Sequence, residues 1–369
     1  MIIKGGRVFR SEGRFEESDV YIENSRITDR ASGEIIDASG LYVIPGLTDI
    51  HFHSCMGVDF CDGNQESLKI MAEYELSQGI TQICPASMTY PEDILTRAFE
   101  AAAAFPDETG AKLCGINLEG PFISTEKKGA QNPAYIHKPD AEMFRRLQKA
   151  ANGLIKLADI APEVDGGLEC IREISGEVRV SLAHTTADYE TAVKAFDAGA
   201  KHVTHLYNAM PGYSHRAPGV IGAACDREDV TVELICDGVH VHPSAVRTTF
   251  KMFGDDRICM ISDTMAACGL KDGKYSLGGQ DVYVKGKLAT LEDGTIAGSV
   301  TNLMDCVRTA VLQMGIPLAS AIKCAAVNSA KAIGIYDKYG SIEAEKEANI
   351  VLLDENLNIV KIIFEGKEI

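Results

Sequence analysis

The segment GLTDIHFH at residues 46–53 begins at a turn-forming Pro-Gly pair and ends in a His-x-His motif. Its apolar part, residues 47–50, predicts a buried strand. Because side chains alternate along a strand, His51 and His53 point to the same face. Two adjacent imidazoles suit a divalent cation, although two half-buried histidines bonded to the backbone would give the same pattern. A metal site therefore requires further ligands elsewhere in the chain.

Seven further apolar segments follow this one, and amphipathic stretches with helical periodicity lie between them. Alternating strands and helices imply a parallel sheet that is buried on both faces. Eight such repeats predict an α/β fold of the (β/α)8 TIM-barrel type. The predicted strands are 47–53, 80–87, 112–119, 155–162, 178–184, 202–207, 230–237 and 258–263. The predicted helices include 67–77, 92–105, 141–150, 188–198 and 244–252.

The sequence pattern at both ends of the chain is different, because short runs of β-branched residues are separated there by Gly, Ser, Asn and Glu. We expect residues 1–45 and 335–369 to form one small β-domain, and residues 46–334 to form the barrel. Segment 273–298 interrupts the barrel pattern with Gly-rich, hairpin-like runs. It is either an insertion in the barrel or a part of the small β-domain.

Composition excludes several classes of partner. The 369 residues carry a formal net charge of -17, which disfavours binding to nucleic acid or to an anionic membrane surface. The first residues contain no basic stretch followed by a long apolar one, so we expect a cytoplasmic protein. The eleven cysteines form no Cys-x-x-Cys pair and mostly lie in apolar runs, which predicts reduced, packed thiols.

Reactive side chains recur at the predicted carboxyl ends of the strands, where the chemistry of such barrels collects. Glu119 ends the third strand, His184 the fifth, His205 the sixth and Asp263 the eighth. One such residue alone would usually be structural or a helix cap. Four of them, together with the His-x-His motif, predict a functional site.

Metal binding explains these residue types, because imidazoles and carboxylates are ordinary ligands of zinc and of non-haem iron. We expect Glu119, His184 and His205 to hold one cation. We expect His51 and His53, with Glu119 shared, to hold a second. Paired ions in such sites lie about 3.5–4 Å apart and lower the pKa of a bound water toward roughly 7.

Asp263 then has the position of a general acid/base, which takes a proton from the water and later gives it to the leaving group. This combination predicts a hydrolase. The metal is expected to be Zn²⁺, and Fe²⁺ accepts the same ligands.

Six motifs in order along the whole chain carry a resemblance to a known family. They are GLTDIHFH (46–53), NLEGPF (117–122), KGAQNP (128–133), HLYNAMP (205–211), DGVH (237–240) and SDTMA (262–266). With them the chain resembles the N-acetylglucosamine-6-phosphate deacetylases of the amidohydrolase superfamily. The resemblance implies a metal-bearing barrel, a β-sandwich built from both chain ends, a homodimer, and hydrolysis of the acetamide of an amino-sugar 6-phosphate.

The resemblance also implies roles for individual residues. Glu119, His184 and His205 match the main metal ligands, and Asp263 matches the general acid/base. Some members have Gln and Asn in place of the His-x-His pair and hold one metal ion. Two ions are therefore favoured in this chain, which keeps both histidines.

Substrate contacts are implied for Asn208, Ala209, Arg216 and His240. An acidic protein that binds a phosphomonoester needs such local donors. Whether Arg216 serves its own site or that of a partner subunit stays open. Gln131 stands where other members have a histidine, and an amide can position a substrate but cannot carry charge near neutral pH.

The expected reaction is hydrolysis of N-acetylglucosamine 6-phosphate to glucosamine 6-phosphate and acetate. The nearest alternative is the N-acetylgalactosamine epimer, because the residues that contact C4 cannot be identified in the sequence. A cyclic amidase or deaminase would leave Arg216 and the Asn208-Ala209 pair without a role. A non-catalytic sugar-phosphate-binding protein is disfavoured by the intact set of ligands and Asp263.

Overall fold

A computed structural model describes residues 1–106 and 109–369 of the chain, which has a mixed α/β fold. Its central strands all run parallel and pair largely in chain order. They are Leu47–Asp49, Ile80–Ile83, Lys112–Leu113, Ile116–Leu118, Ile155–Ile160, Arg179–Leu182, His202–Val203, Thr231–Ile235 and Ile258–Ile261. Each lies within a predicted strand and is shorter than predicted.

The parallel sheet curls back toward its first strand. A parallel bridge between Ala86 and Asn117 links its two hydrogen-bonded parts. At the other edge, the Asp263 N–H donates to the His51 carbonyl at 2.8 Å, and the His53 N–H donates to the Thr264 carbonyl at 2.9 Å. The first and last strands of the sheet therefore meet just beyond their carboxyl ends.

Helices alternate with these strands. The α-helices are Gln65–Ser77, Glu92–Ala103, Ala141–Ala150, Gly167–Ile174, Tyr189–Asp197, Gly219–Cys225, Pro243–Phe253, Leu303–Leu312, Leu318–Ile322 and Ser329–Ala332. Short 3-10 turns cover Phe60–Asp62, Thr125–Lys127 and Pro133–Tyr135, and Lys323–Asn328 forms a π-helix. Side-chain caps start several helices, as when Asp140 accepts from the N–H groups of Glu142 and Met143. The predicted helices are thus present, with some ends shifted.

The two ends of the chain meet in one eight-stranded sheet. Ile350 pairs with Pro45 in antiparallel register, which joins the C-terminal strands to the N-terminal ones. Residues such as Ile3 and Ile363 form a hydrophobic cluster of their own beneath this sheet. The strands are Ile2–Arg10, Arg14–Glu23, Arg26–Thr28, Ile35–Asp37, Tyr42–Pro45, Ile350–Leu353, Ile359–Phe364 and Lys367–Glu368. A two-layer sandwich stays a prediction.

Segment 273–298 belongs to neither sheet. It forms a separate antiparallel sheet from Gly273–Leu277, Gln280–Lys285 and Leu288–Thr290. Leu277 packs in a buried cluster with Met88 and Met265, and the Gln280 amide donates to the Ala130 carbonyl. This hairpin sheet therefore lies against the loops at the carboxyl ends of the strands. A small two-stranded sheet, Ser54–Cys55 with Val58–Asp59, also follows the first strand.

The cysteines and the helices bear on two predictions about the whole chain. Eight of the eleven cysteines are buried, as predicted for packed thiols. None of the helices among the described residues combines the length and the apolar character that crossing a membrane requires. The cytoplasmic location stays a prediction.

Candidate metal centre

Six predicted site residues converge at the carboxyl ends of the parallel strands, and all of them are buried. Their ligand atoms form two groups of three, and within each group the atoms lie within 4.8 Å of one another. The first group is His51, His53 and Asp263, and the second is Glu119, His184 and His205. We call these six the strand-end residues. The residues that the sequence singled out at separate strand ends thus occupy one place in the fold.

Glu119 lies at the centre of this arrangement. Its Oε1 atom is 3.0 Å from Nε2 of His205, 3.2 Å from that of His184 and 3.4 Å from that of His51. Its Oε2 atom is 3.3 Å from Nε2 of His53. One carboxylate therefore contacts all four histidines, as a ligand shared between two cations would.

Asp263 lies beside the His-x-His pair. Its Oδ1 atom is 3.3 Å from Nε2 of His53 and 3.8 Å from Nε2 of His51. The second metal position was predicted from His51, His53 and Glu119. The structure also places Asp263 beside these residues, so its carboxylate lies within reach of the position where they would hold a cation.

The histidine rings are oriented by their other nitrogen. In His51, His53 and His184 the Nδ1 atom meets an oxygen acceptor, which leaves the Nε2 lone pair directed into the site. The acceptors are, in that order, Glu233 Oε2 at 2.8 Å, the Ala86 carbonyl at 3.2 Å and the Lys127 carbonyl at 2.8 Å. Nε2 of His51 is buried and makes no hydrogen bond. A buried imidazole nitrogen without a hydrogen bond, beside three other imidazoles and a carboxylate, fits a divalent metal.

Electrostatics keep the carboxylates ionised. Burial alone would raise the pKa of Glu119, but the neighbouring charges of His51 and His53 lower it well below its usual range. Burial alone would likewise raise the pKa of Asp263, but the hydrogen bond from His53 lowers it. Burial would lower the pKa of His51, but Glu233 and Glu119 raise it well above its ordinary value. The site is thus built to carry opposite charges in contact.

The backbone is strained where it presents three of these side chains. His184, His205 and Asp263 have φ values of 43°, 28° and 52°, a region that costs a non-glycine residue about 1–3 kcal/mol. Hydrogen bonds hold two of these conformations, because the His205 N–H donates to Glu233 Oε2 at 3.0 Å and the Asp263 N–H donates to the His51 carbonyl. Sharp turns therefore aim these residues into the site.

Two buried residues in this network were missed by the sequence analysis. Glu233 accepts from His51 and from the His205 backbone, and His202 Nε2 lies 3.2 Å from its Oε1 atom. The available signal was a carboxylate at the centre of the apolar strand Thr231–Ile235. A fully buried charge is rare unless it is paired.

A cavity of about 370 Å³ opens over the strand-end residues. Of the predicted substrate contacts, Gln131, Asn208, Ala209 and His240 line it. Arg216 does not, because it lies on an exposed loop. Lys127 also lines the cavity, and no arginine among the described residues does. The single chain thus brings together all of the predicted contacts except Arg216.

Two of the lining residues are already engaged with the protein. Gln131 is buried, and its amide donates to Glu119 Oε2 at 2.6 Å. His240 Nδ1 lies 2.7 Å from Asp237 Oδ2. Burial alone would lower the pKa of His240, but the bond to Asp237 and the charge of Asp237 raise it. The contact with Asp237 therefore favours the protonated form of His240 at the wall of the cavity.

Comparisons with known proteins identify the family of this chain. Residues 42–369 match the Amidohydrolase family model. The chain is 36% identical to an N-acetylglucosamine-6-phosphate deacetylase of Bacillus subtilis (strain 168), over 99% of this chain and 93% of that protein. It is 30% identical to an N-acetylgalactosamine-6-phosphate deacetylase of Escherichia coli O157:H7, over 99% of this chain and 98% of that protein.

A solved structure extends the agreement to the fold. A point mutant of N-acetyl-D-glucosamine-6-phosphate deacetylase from Mycobacterium smegmatis, in complex with N-acetyl-D-glucosamine-6-phosphate, matches with a TM-score of 0.91 and 30% identity. The match covers 100% of this chain and 98% of that one. With the family model matched over most of the sequence and relatives matched over nearly all of it, the chain belongs to the amidohydrolase family.

Proposed function

We propose that this chain is a metal-dependent deacetylase that converts N-acetylglucosamine 6-phosphate and water into glucosamine 6-phosphate and acetate. The observation that carries the proposal is the contact of one carboxylate, Glu119, with all four site histidines, beside Asp263 and at the floor of a cavity. The full-length relatives that act on amino-sugar 6-phosphates support the choice of substrate.

Two divalent ions fit the donor set. Glu119, His184 and His205 would hold the first, and His51 with His53 would hold the second, sharing Glu119 and with Asp263 in reach. The mixture of nitrogen and carboxylate ligands suits Zn²⁺, and Fe²⁺ accepts it as well. When bound, such ions polarise an amide carbonyl and lower the pKa of water.

The chain's own groups would carry the proton. Asp263 is buried and ionised, so it can take a proton from the attacking water and hold it at a carboxylate oxygen. It then delivers that proton to the amide nitrogen, which leaves as an amine when its bond to the acetyl carbon breaks.

The phosphate needs cations and N–H donors in an otherwise acidic protein. Asn208, Ala209 and His240 line the cavity, and we add Lys127, whose side chain is half-buried there. Arg216 does not line the cavity of its own chain, so its predicted contact requires a second subunit. We therefore propose a homodimer in which the Arg216 loop reaches the partner's cavity.

We also infer the finer architecture. Residues 46–334 would form a (β/α)8 barrel, and residues 1–45 with 335–369 would form a small β-sandwich domain. Hydrogen bonds between the segments that follow the first and last parallel strands support closure of the barrel. The pairing of Tyr42–Pro45 with Ile350–Leu353 supports a domain built from both chain ends.

Metal analysis of the purified chain, combined with acetate release from both epimers before and after chelation, tests the function. We expect one to two divalent ions per chain, faster release from the N-acetylglucosamine substrate, and recovery of activity when metal is restored. Faster release from the galactosamine epimer would favour that alternative, which the Escherichia coli relative supports. Absence of metal and of release from both substrates would refute the proposal.

A further inference from the structure

Glu233 hydrogen-bonds to one residue of each proposed metal position. It lies in the strand Thr231–Ile235 with none of its surface exposed. Its Oε2 atom accepts from Nδ1 of His51 at 2.8 Å and from the backbone N–H of His205 at 3.0 Å. One carboxylate oxygen thus meets one residue from each proposed metal position.

The other carboxylate oxygen is also engaged. Oε1 of Glu233 lies 3.2 Å from Nε2 of His202, whose Nδ1 lies 2.6 Å from the Thr231 hydroxyl. His202 is fully buried and is not among the strand-end residues. It therefore supplies a bond to the second oxygen of a carboxylate that would otherwise be costly to bury.

His51 differs from the other oriented histidines in the nature of its acceptor. His53 and His184 bond to backbone carbonyls, whereas His51 bonds to a side chain. A carboxylate acceptor fixes the ring and its tautomer, and it makes the opposite nitrogen a better ligand. Nε2 of His51 makes no hydrogen bond in its buried position. The direction of the ring is therefore set at Nδ1, mainly by Glu233 at 2.8 Å, with the Asn117 amide nitrogen 3.4 Å away.

The bond between Glu233 and the His205 N–H constrains the backbone of His205. His205 has a φ of 28°, which a non-glycine residue adopts only when its surroundings hold it. The N–H bond to Glu233 ties this strained residue to the same oxygen that orients His51. A shift of Glu233 would therefore disturb both proposed metal positions.

We propose that Glu233 is a positioning residue that couples the two metal positions, by orienting the His51 ring and holding the His205 backbone. The inference rests on the proposed function, since it assumes that the strand-end residues bind metal. Glu233 itself contacts neither the cavity nor the substrate in this assignment. Its effect should therefore appear in metal affinity before it appears in substrate affinity.

Zinc titration of the full-length chain against a chelating indicator, with metal content measured after dialysis, tests this role. Glu233→Met keeps the length of the side chain and removes both acceptors, so we expect the weaker ion to bind 10–100-fold less tightly. Glu233→Gln can keep one acceptor oxygen on His51 and should lose about tenfold, as the conservative variant. Unchanged affinity in Glu233→Gln would overturn the proposal, even if Glu233→Met fails to fold.

Asp159→Asn is the matched control. Asp159 is a fully buried carboxylate on the parallel strand Ile155–Ile160, and it accepts from the Thr204 hydroxyl rather than from a strand-end residue. We expect wild-type metal content in this variant. Equal metal loss in Asp159→Asn and Glu233→Gln would show a general effect of replacing a buried carboxyl group with an amide and would contradict a specific role.

A double-variant cycle separates this inference from the proposed function. In a His51→Asn background, Glu233→Gln should weaken metal binding less than threefold, because the ring that it orients is gone and the amide oxygen can still accept from the His205 N–H. An undiminished tenfold loss there would contradict coupling through His51. If the unaltered chain releases acetate while Glu233→Gln keeps full metal affinity, only the inference fails. If the unaltered chain binds no metal, the proposed function fails with it.

Discussion

Gln131 donates from its amide Nε2 to Glu119 Oε2 across 2.6 Å, while its Oε1 accepts the Thr89 N–H across 2.7 Å. Both ends of the amide are therefore occupied by the protein. The sequence predicted a contact with substrate at this position, and that role stays a prediction. The geometry gives Gln131 a second task, which is to hold the carboxylate that all four site histidines contact.

Replacing Gln131 with Leu should loosen Glu119. We expect faster loss of metal to a chelator and a kcat reduced about tenfold, because a supporting hydrogen bond to a ligand is typically worth this much. The matched control is Gln82→Leu, since Gln82 is also buried and its side chain bonds, within the described part of the chain, to Thr48 and Thr81 rather than to a strand-end residue. A rise in KM alone, with metal retention unchanged, would show that Gln131 acts only on substrate.

Asp263→Asn should separate proton transfer from metal binding. An amide cannot take the proton, so we expect kcat to fall by 10²–10⁴, the usual contribution of a general acid/base. Glu119, His184 and His205 do not depend on Asp263, so at least one ion per chain should remain. Metal analysis and acetate release on the same sample check both parts. Turnover close to that of the unaltered chain would remove Asp263 from the mechanism.

Lys127→Met should affect phosphorylated substrate selectively. Lys127 is the lysine that lines the cavity, and its ammonium group makes no ion pair or hydrogen bond with another described residue. Removing the charge should lower kcat/KM for N-acetylglucosamine 6-phosphate about tenfold, since a bond between charged groups contributes about 1.5–3 kcal/mol at most. The same variant should leave the low activity on N-acetylglucosamine unchanged. Equal losses on both substrates would argue against a phosphate contact.

The strand-end residues could be predicted because one rule, that chemistry collects where parallel strands end, requires only the order of strands along the chain. The fold class follows from the alternation of apolar strands and amphipathic helices along the chain. The residues at which strands end were less predictable. The first parallel strand ends at Asp49, and the His51 carbonyl then accepts from the Asp263 N–H instead of pairing within the sheet. The Glu233 bond to His51 joins residues 182 positions apart. It depends on the orientation of a ring, about which sequence spacing carries no information.

His240 should make the stability of the fold depend on pH. Its pKa is raised in the folded chain, so its bond to Asp237 contributes fully below the unfolded pKa near 6.5 and is lost as pH rises through the folded pKa. His240→Gln should therefore destabilise the protein by about 2 kcal/mol at pH 6 and by much less at pH 9. Thermal unfolding at both pH values measures the difference, and His215→Gln on the exposed loop is the control. A pH-independent difference would contradict the ion pair.

Arg216 provides a test of assembly. It lies on an exposed loop and does not line the cavity of its own chain, so a contact with the substrate phosphate requires a neighbouring subunit. Arg216→Met and Asp263→Asn should each be nearly inactive as uniform dimers. In a mixed dimer, the Arg216→Met chain keeps Asp263 and would receive Arg216 from its partner, which restores one complete site. We therefore expect co-expression to recover activity well above that of either variant, with Lys127→Met and Asp263→Asn as the control pair. If Arg216 instead folds back onto its own cavity, no mixed dimer contains an intact site and the mixture stays as inactive as its parts.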